Sequence, residues 1–364
     1  MQIAYDYQIF CLQNVGGISR YFIELARKLP AIFPDILTTS IAPLHINEYL
    51  GNASIKKIGL QVQSFPGKHH LIPLINATVS PFIIRSLRPD ILHETYYSHH
   101  GLAFDGPRIL TVYDMIHERF PDQFHGPDTM VASLKATAVA RADHVIAISK
   151  STRDDLIHFL QVPEEKITVI PLASSFSGDV AAKKTVYRDK PYLLYVGVRK
   201  GVKNFKTLVT AFAASSLLRA EYDLLCVGGG KFEHQETEYL QKMKVRKSVQ
   251  HVQADDNMLA MLYSHATLFV YPSLYEGFGI PLLEAMRCGC PVACSNSSSM
   301  PEIAGDAAVF FDPEDSEDIC NVIEETIKSD TLRTTLIERG RKREQLYNWD
   351  TCVTQTAEVY HDVL

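Results

Sequence analysis

Short apolar runs alternate with longer amphipathic stretches along the first half of the chain. The strand-like runs, each followed by a polar turn, are 3–5, 91–93, 108–112, 144–148 and 167–170. Between the first two, Ile18, Phe22, Leu25 and Leu29 recur at the spacing of one helical face. Strands that alternate with helices in this way predict a parallel sheet with helices on its faces.

The same alternation begins again after a polar segment at 173–190. Strands are predicted at 192–196, 222–227, 249–252, 268–271, 291–294 and 308–311, and helices at 205–215, 281–287 and along 316–364. The predicted fold class is therefore α/β, with two doubly wound Rossmann-like domains that face each other across a cleft. The expected domains are residues 1–175 and 190–348, joined by a linker at 176–189.

Length, charge and cysteine content narrow the function. The chain has 364 residues, which is more than the roughly 250–300 residues that one hydrophobic core usually holds, so two domains are expected. The formal charge, 36 − 42 = −6, argues against a nucleic-acid partner held by a general basic field. Seven cysteines and no secretory signal favour the cytoplasm. Cys288, Cys290 and Cys294 have no ligands nearby to complete a metal site, so none is predicted.

The segment 56–81 combines basic and apolar residues, and nothing in the chain has the length and apolarity of a membrane span. Such a segment can touch an anionic membrane surface. The favoured interpretation is a mobile loop that leads into an ordinary helix. Peripheral membrane contact is the alternative.

Three motifs fall on predicted strand-to-helix turns. Gly16 and Gly17 open the first helix, where close backbone approach and a helix N-terminus suit a diphosphate; a tight turn without a ligand is the alternative. Arg199 and Lys203 bracket a glycine turn after the strand at 192–196, and their charges suit a leaving diphosphate. A solvated surface loop is the alternative there.

The third motif places two glutamates eight positions apart around a glycine turn. In the segment 271–285, Glu276 precedes Gly-Phe-Gly-Ile-Pro and Glu284 lies inside the helix that Pro281 can start. Carboxylates accept hydrogen bonds from sugar and ribose hydroxyls, and backbone N–H groups at 278–280 can add donors. This motif predicts a site for a hydroxyl-rich ligand.

The Glu-x7-Glu element with its Gly-Phe-Gly-Ile-Pro core resembles the signature of the retaining glycosyltransferases of family 4, within the two-Rossmann class called GT-B. The glycine pair, the Arg/Lys loop, the segment 301–307 and the closing helix at Trp349 occur in the expected order, so the resemblance covers essentially the whole chain. It implies that a helix from about 349 to 364 packs back on the N-terminal domain.

The resemblance also implies roles for single residues. Gly16 and Gly17 are expected to face the diphosphate or the acceptor, while Arg199 and Lys203 stabilise the leaving diphosphate. Glu276 is expected to meet the donor sugar. The remaining donor-binding residues are expected to be Glu284, which holds the ribose, the backbone of Phe278, Gly279 and Ile280, and the base site from Val252 to Asp255.

One position departs from the family pattern. Many relatives have His-Asp after the strand at 109–112, whereas this chain has Tyr113 and Asp114, with His117 three residues further on. Residues three apart share a face of a helical turn, so Asp114 and His117 are predicted to act together in catalysis. A structural histidine that caps the turn is the alternative.

The implied reaction is transfer of a hexose with retention, without a protein nucleophile and without a metal or other cofactor. The chain also resembles bacterial mannosyltransferases of surface polysaccharide synthesis, which implies GDP-mannose as the donor. UDP-glucose, UDP-N-acetylglucosamine and activated rhamnose are the alternatives. The expected acceptor is a lipid-linked or growing saccharide of a cell-surface polysaccharide, used in the cytoplasm or at the inner membrane face. Alternatives are a nucleotide-sugar epimerase, a phosphorylase and a non-catalytic sugar-nucleotide-binding protein.

Overall fold

A computed structural model of the chain describes residues 1–63, 67–174, 176 and 190–364. The chain divides into two units, residues 1–172 with 349–364, and residues 173–348. The predicted linker at 176–189 lies outside the described residues, apart from Phe176.

The first unit contains a seven-stranded sheet, all of it parallel, in the order β3-β2-β1-β4-β5-β6-β7. Its strands are β1 (Gln2–Tyr5), β2 (Leu37–His45), β3 (Lys57–Gln61), β4 (Ile91–Glu94), β5 (Arg108–Val112), β6 (His144–Ala147) and β7 (Ile167–Val169). Sequence patterns missed β2 and β3. The buried start of β2 is polar, Thr38–Ser40, and β3 is an exposed edge strand, so neither reads as an apolar run.

Helices of the first unit lie between the strands. They are α1 (Gln8–Leu12), α2 (Gly17–Ile32), α3 (Glu48–Asn52), α4 (Lys68–Leu87), α5 (Ile116–Arg119), α6 (Val131–Arg141) and α7 (Lys150–Leu160). The expectation for 56–81 is a mobile loop that leads into a helix. The helix is confirmed by α4, which begins at Lys68, whereas β3 occupies 57–61, where a loop is expected. Pro73 and Pro81 both lie inside this helix, although proline usually ends one.

A buried carboxylate joins the ends of β1 and β4. Asp6 accepts hydrogen bonds from the backbone N–H of Thr95 at 3.0 Å and of Gln8 at 3.3 Å, and from the Thr95 hydroxyl at 2.5 Å. Burial, with the nearby Glu94 carboxylate, raises the pKa of Asp6 to about 6. Its ionised form is therefore disfavoured in the folded chain.

This shift predicts a pH-dependent difference between wild type and Asp6→Asn. An acid with a raised folded pKa stabilises the fold fully below its unfolded pKa, near 4, and loses that contribution as the pH rises through about 6. The unfolding free energy of wild type minus that of Asp6→Asn should grow by up to about 1.4 kcal/mol per pH unit as the pH falls from about 6 to 4. Urea denaturation of both proteins across this range measures it. A pH-independent difference contradicts the assignment.

The second unit contains a six-stranded parallel sheet in the order β10-β9-β8-β11-β12-β13. Its strands are β8 (Tyr192–Val196), β9 (Asp223–Val227), β10 (Val249–Val252), β11 (Leu268–Tyr271), β12 (Val292–Ser295) and β13 (Ala308–Phe311). Its helices are α8 (Phe205–Ala214), α9 (Ser216–Glu221), α10 (His234–Lys242), α11 (Asp256–His265), α12 (Ile280–Arg287), α13 (Met300–Ala304), α14 (Ser316–Lys328) and α15 (Asp330–Glu344).

The last helix, α16 (Trp349–Asp362), belongs to the first unit and packs on α2. Its Tyr360 hydroxyl lies 2.7 Å from Nδ1 of His93 in β4 and 3.3 Å from the hydroxyl of Tyr5 in β1. The other ring nitrogen of His93 meets the Thr111 hydroxyl at 2.9 Å. Burial lowers the pKa of His93 to about 3, so the ring is neutral and α16 is fixed by a buried, uncharged network.

Candidate functional site

Two of the predicted motifs meet at the carboxyl ends of β8 and β11. These strands are neighbours although β9 and β10 lie between them in sequence, so the strand order reverses here. Open α/β sheets bind ligands beyond the strand ends at such a point. The turn after β8 carries Arg199 and Lys203, and the turn after β11 carries Glu276.

Lys203 and Glu276 form the centre of this candidate site. Nζ of Lys203 lies 2.6 Å from Oε1 and 2.8 Å from Oε2 of Glu276, whose side chain is only 10% exposed. Burial, with Glu276 nearby, holds the pKa of Tyr271 well above its usual range, so this neighbouring hydroxyl stays protonated. The arrangement presents a cation beside a largely desolvated carboxylate, which suits a ligand with both phosphate and hydroxyl groups.

Glu284 lies one turn inside α12, as the spacing predicted. Its Oε2 accepts a hydrogen bond of 3.2 Å from the hydroxyl of buried Tyr263. Gly279 immediately before α12 has φ 101°, a left-handed conformation that glycine adopts without strain. Phe278 and Ile280 flank Gly279 at the start of α12, where backbone N–H groups lack intrahelical partners.

Arg199 makes contacts that its position in the sequence did not indicate. Its side chain is 2% exposed, and its Nε donates to Oε1 of Glu236 at 2.8 Å. The other nitrogens donate to the carbonyls of Gly228 and Gly230, the latter at 2.9 Å. The described contacts thus make Arg199 a support of the glycine turn after β9, and its role at a diphosphate stays a prediction.

Sequence reasoning missed that glycine turn. Gly228, Gly229 and Gly230 all have positive φ, at 96°, 68° and 70°. A Cβ on Gly228 would lie 2.9 Å from the carbonyl oxygen of Gly197, so the turns after β8 and β9 touch backbone to backbone. Three glycines directly after a strand were the available signal.

The expected base site follows β10, which ends at Val252. Asp255 is the N-cap of α11 and accepts the N–H of Met258 at 2.8 Å. The contact of a base with this segment stays a prediction. The structure assigns Asp255 a local capping role.

In the first unit, Gly16 and Gly17 form the turn into α2. The Ser19 hydroxyl donates to the Gly16 carbonyl at 3.0 Å, and Oε1 of Gln13 accepts the Ser19 N–H at 3.2 Å. A Cβ on Gly16 would collide with the Gln13 side chain, whereas one on Gly17 would meet nothing within 4 Å. A side chain at Gly16 would therefore displace the flexible end of Gln13, whereas the open side of Gly17 leaves room for a ligand.

Asp114 and His117 are not paired in the described residues. Asp114 precedes α5, and its Oδ1 accepts the Ile116 N–H at 3.1 Å. The His117 ring instead stacks on Phe124 at 4.0 Å between centroids, and its buried Nδ1 has no hydrogen-bond partner there. Burial, with the Lys135 charge, lowers the pKa of His117, so the ring is neutral near pH 7. Their catalytic roles stay predictions.

A fully buried cation supports this turn. Nζ of Lys135 in α6 lies 2.7 Å from the Asp114 carbonyl oxygen and 2.8 Å from Oε2 of Glu118.

Tyr113 packs edge-on against Tyr21 with 6.2 Å between ring centroids, and its buried hydroxyl has no partner among the described residues. Tyr113 is thus a core side chain in the position of the usual family histidine.

Comparison with known proteins identifies both halves of the chain. Residues 15–173 match the model described as Glycosyltransferase Family 4, and residues 178–343 match Glycosyl transferases group 1. O-antigen chain mannosyltransferase B of Escherichia coli is 30% identical over 372 residues, which cover 94% of this chain and 95% of that protein. The chain belongs to glycosyltransferase family 4. It is a glycosyltransferase, related to O-antigen mannosyltransferases.

Solved structures show the same fold for this family 4 chain. Sucrose-phosphate synthase from Thermosynechococcus elongatus has a TM-score of 0.76 at 21% identity, covering 99% of this chain and 98% of that one. Anabaena HepE in complex with UDP-glucose has a TM-score of 0.74 at 16% identity and covers all of both chains. The predicted fold class, two Rossmann-like domains of the GT-B type, is confirmed. Within the described residues, no helix of this glycosyltransferase combines the length and apolarity needed to cross a membrane.

Proposed function

We propose that this glycosyltransferase transfers a hexose, with retention, from a nucleoside diphosphate sugar to a saccharide hydroxyl. The observation that carries the proposal is the Lys203–Glu276 ion pair at the reversal of strand order, with Glu284 one turn inside the following helix. A cation for the diphosphate and two carboxylates for hydroxyl groups match the parts of such a donor.

In the proposed reaction, the bond between the sugar C1 and the leaving phosphate oxygen breaks as the acceptor oxygen bonds to C1 from the same face. The acceptor proton passes to the departing phosphate oxygen, so no protein base is needed. Lys203 stabilises the negative charge that grows on the diphosphate. Glu276 holds the Lys203 ammonium in place and accepts a hydroxyl of the donor sugar. Because Lys203 supplies this charge, we expect the reaction to need no metal or other cofactor.

Mannose from GDP-mannose is the donor that we propose first, because the E. coli relative is an O-antigen mannosyltransferase. UDP-glucose is the second candidate, since the HepE structure contains it. The E. coli relative also supports a lipid-linked or growing polysaccharide as the acceptor. An epimerase or a non-catalytic binding protein would bind nucleotide without transferring sugar to an acceptor.

A thermal-shift screen with GDP, UDP, dTDP and ADP tests donor binding. One nucleoside diphosphate should raise the Tm of wild type, and Glu284→Ala should lose this rise because the ribose contact is gone. Glu338→Ala, an exposed glutamate of α15, is the matched control and should keep it. Transfer from the matching sugar nucleotide to a saccharide then separates a transferase from the alternatives. No shift with any of the four contradicts the donor site.

We also propose that α4 makes the peripheral membrane contact. Its inner face is buried and consists of Ile72, Asn76, Ser80 and Ile84. Its outer face exposes apolar side chains, and Leu74 and Phe82 are 65% and 67% exposed. An apolar stripe of this kind on a helix surface suits insertion at the headgroup boundary of a bilayer.

The charge of residues 49–89, which include α4, supports contact with an anionic lipid surface. No Asp or Glu occurs between Glu48 and Asp90, although the whole chain has a net charge of −6. Basic side chains of this segment are Lys56, Lys57, Lys68, Arg85 and Arg88. Of these, Arg85 and Arg88 are exposed at the end of α4. Basic residues beside exposed apolar ones bind anionic headgroups more strongly than neutral ones.

Vesicle sedimentation tests the contact. Wild type should bind vesicles of phosphatidylglycerol and phosphatidylcholine more strongly than vesicles of phosphatidylcholine alone. The double variant Leu74→Ser/Phe82→Ser should bind these vesicles less than wild type does. Leu346→Ser, which alters an exposed leucine of the second unit, should bind them as wild type does. Equal binding of wild type and the α4 variant would refute this surface.

A further inference from the structure

The turn that carries Glu276 lies between β11 and α12 and is held by three consecutive serines of another turn. Ser297, Ser298 and Ser299 follow β12, which pairs with β11 in parallel, so the two turns leave the sheet side by side. The hydroxyl of Ser297 donates to the Leu274 carbonyl at 2.9 Å. The next two serines reach the peptide groups of Glu276 itself.

Those two serines bind Glu276 from both sides. The Glu276 N–H donates to the Ser298 hydroxyl oxygen at 2.9 Å. The hydroxyl of Ser299, which is fully buried, lies 2.9 Å from the Glu276 carbonyl oxygen and 2.9 Å from that of Phe278. The peptide units before and after the Glu276 side chain are thus both fixed by side-chain hydroxyls.

The backbone of Ser298 adds an independent observation. Its φ is 50°, in the left-handed region that residues other than glycine rarely adopt. Strained backbone of this kind persists where surrounding contacts determine it, and it concentrates at functional sites. At Ser298 the conformation accompanies a hydroxyl that accepts the Glu276 N–H.

We propose that Ser298 and Ser299 are positioning residues that fix the Glu276 carboxylate against Lys203. The inference rests on the proposed donor site, because its effect on turnover acts through Glu276. Neither hydroxyl needs to touch the substrate. A variant that lacks either hydroxyl still has the Glu276 carboxylate. The turn that carries this carboxylate can, however, shift relative to Lys203.

Ser298→Gly and Ser299→Ala test this proposal. Each should lower kcat for donor turnover about 10- to 100-fold, since small misplacements of a group that orients the substrate have effects of this size. The Kd for the nucleoside diphosphate should stay within about twofold of wild type, because the nucleotide contacts assigned to Glu284 are intact. A residue that only stabilises the fold would lower Tm and leave kcat unchanged.

Ser298→Gly separates position from strain. Glycine removes the hydroxyl and also relieves the left-handed conformation, so its Tm should exceed that of Ser298→Ala, whereas kcat should fall equally in both. Ser329→Ala is the matched control, since Ser329 caps α15 by accepting the Leu332 N–H at 3.2 Å. It should lower Tm and leave kcat as in wild type.

Amide hydrogen exchange gives a readout that needs no substrate. Peptides that contain 272–279 should take up deuterium faster in Ser298→Gly and Ser299→Ala than in wild type or Ser329→Ala. If wild type turns over no sugar nucleotide, the proposed function fails, and exchange still decides whether the serines hold the turn. If Glu276→Gln loses turnover while both serine variants match wild type in kcat and exchange, the positioning role is refuted.

Discussion

Lys203→Ala is expected to lower kcat for sugar transfer about 100- to 1,000-fold. Removing one preorganised donor to a developing negative charge has this effect in other enzymes. Here the loss also leaves the Glu276 carboxylate, 10% exposed, without the ammonium that lies 2.6 Å from it. Steady-state kinetics with the sugar nucleotide identified by the binding screen measures the change.

The matched control is Lys206→Ala, which removes an exposed lysine of the same unit only three positions away. It should keep kcat near wild type. Lys203→Arg keeps the positive charge but places it in a larger, planar group, so it should recover only part of kcat. Full activity of Lys203→Ala would remove the central residue from the proposed mechanism.

Lys135→Met is expected to have the largest effect on stability. The substitution keeps volume at a fully buried position but leaves Glu118, whose side chain is 7% exposed, without its counter-ion. Breaking a buried ion pair by removing one partner destabilises by about 3–5 kcal/mol. Chemical denaturation followed by circular dichroism measures the unfolding free energy.

Lys135→Met with Glu118→Gln is the informative comparison. Removing both charges avoids the uncompensated carboxylate, so the double variant should recover much of the loss. Glu24→Gln, which neutralises a carboxylate of α2 paired with Arg27, should cost under about 1 kcal/mol. A single Lys135→Met variant as stable as wild type would contradict the buried pair.

The sequence predicted that the residues of the proposed donor site follow strands, and the structure has Lys203 and Glu276 on the turns after β8 and β11. Gly, Pro and spaced glutamates mark a turn that must lie at a sheet edge, and two such turns after neighbouring strands bring Lys203 and Glu276 together. No local pattern could show where the Arg199 guanidinium points. That depends on Glu236 and the glycines after β9, which the chain reaches some 30 residues later.

The fold was predictable where strands consist of apolar and aromatic residues, as in β8 and β11. It was not predictable where the buried residues of a strand are polar, as at Thr38–Ser40 in β2. Asp114 and His117 form no hydrogen bond or ion pair within the described residues, although their joint role in catalysis stays a prediction. Spacing describes a shared helical face, but Asp114 lies before the helix and His117 turns to Phe124.

The position of α16 has a consequence for biosynthesis. Residues 349–364 complete the first unit, yet they are made after every residue of the second. During synthesis, Tyr5 and His93 are made long before Tyr360, with which they form hydrogen bonds. The second unit is therefore fully synthesised before the first unit is. A chain truncated before Trp349 should therefore expose the α2 surface to chaperones although the later unit has all its residues and can fold.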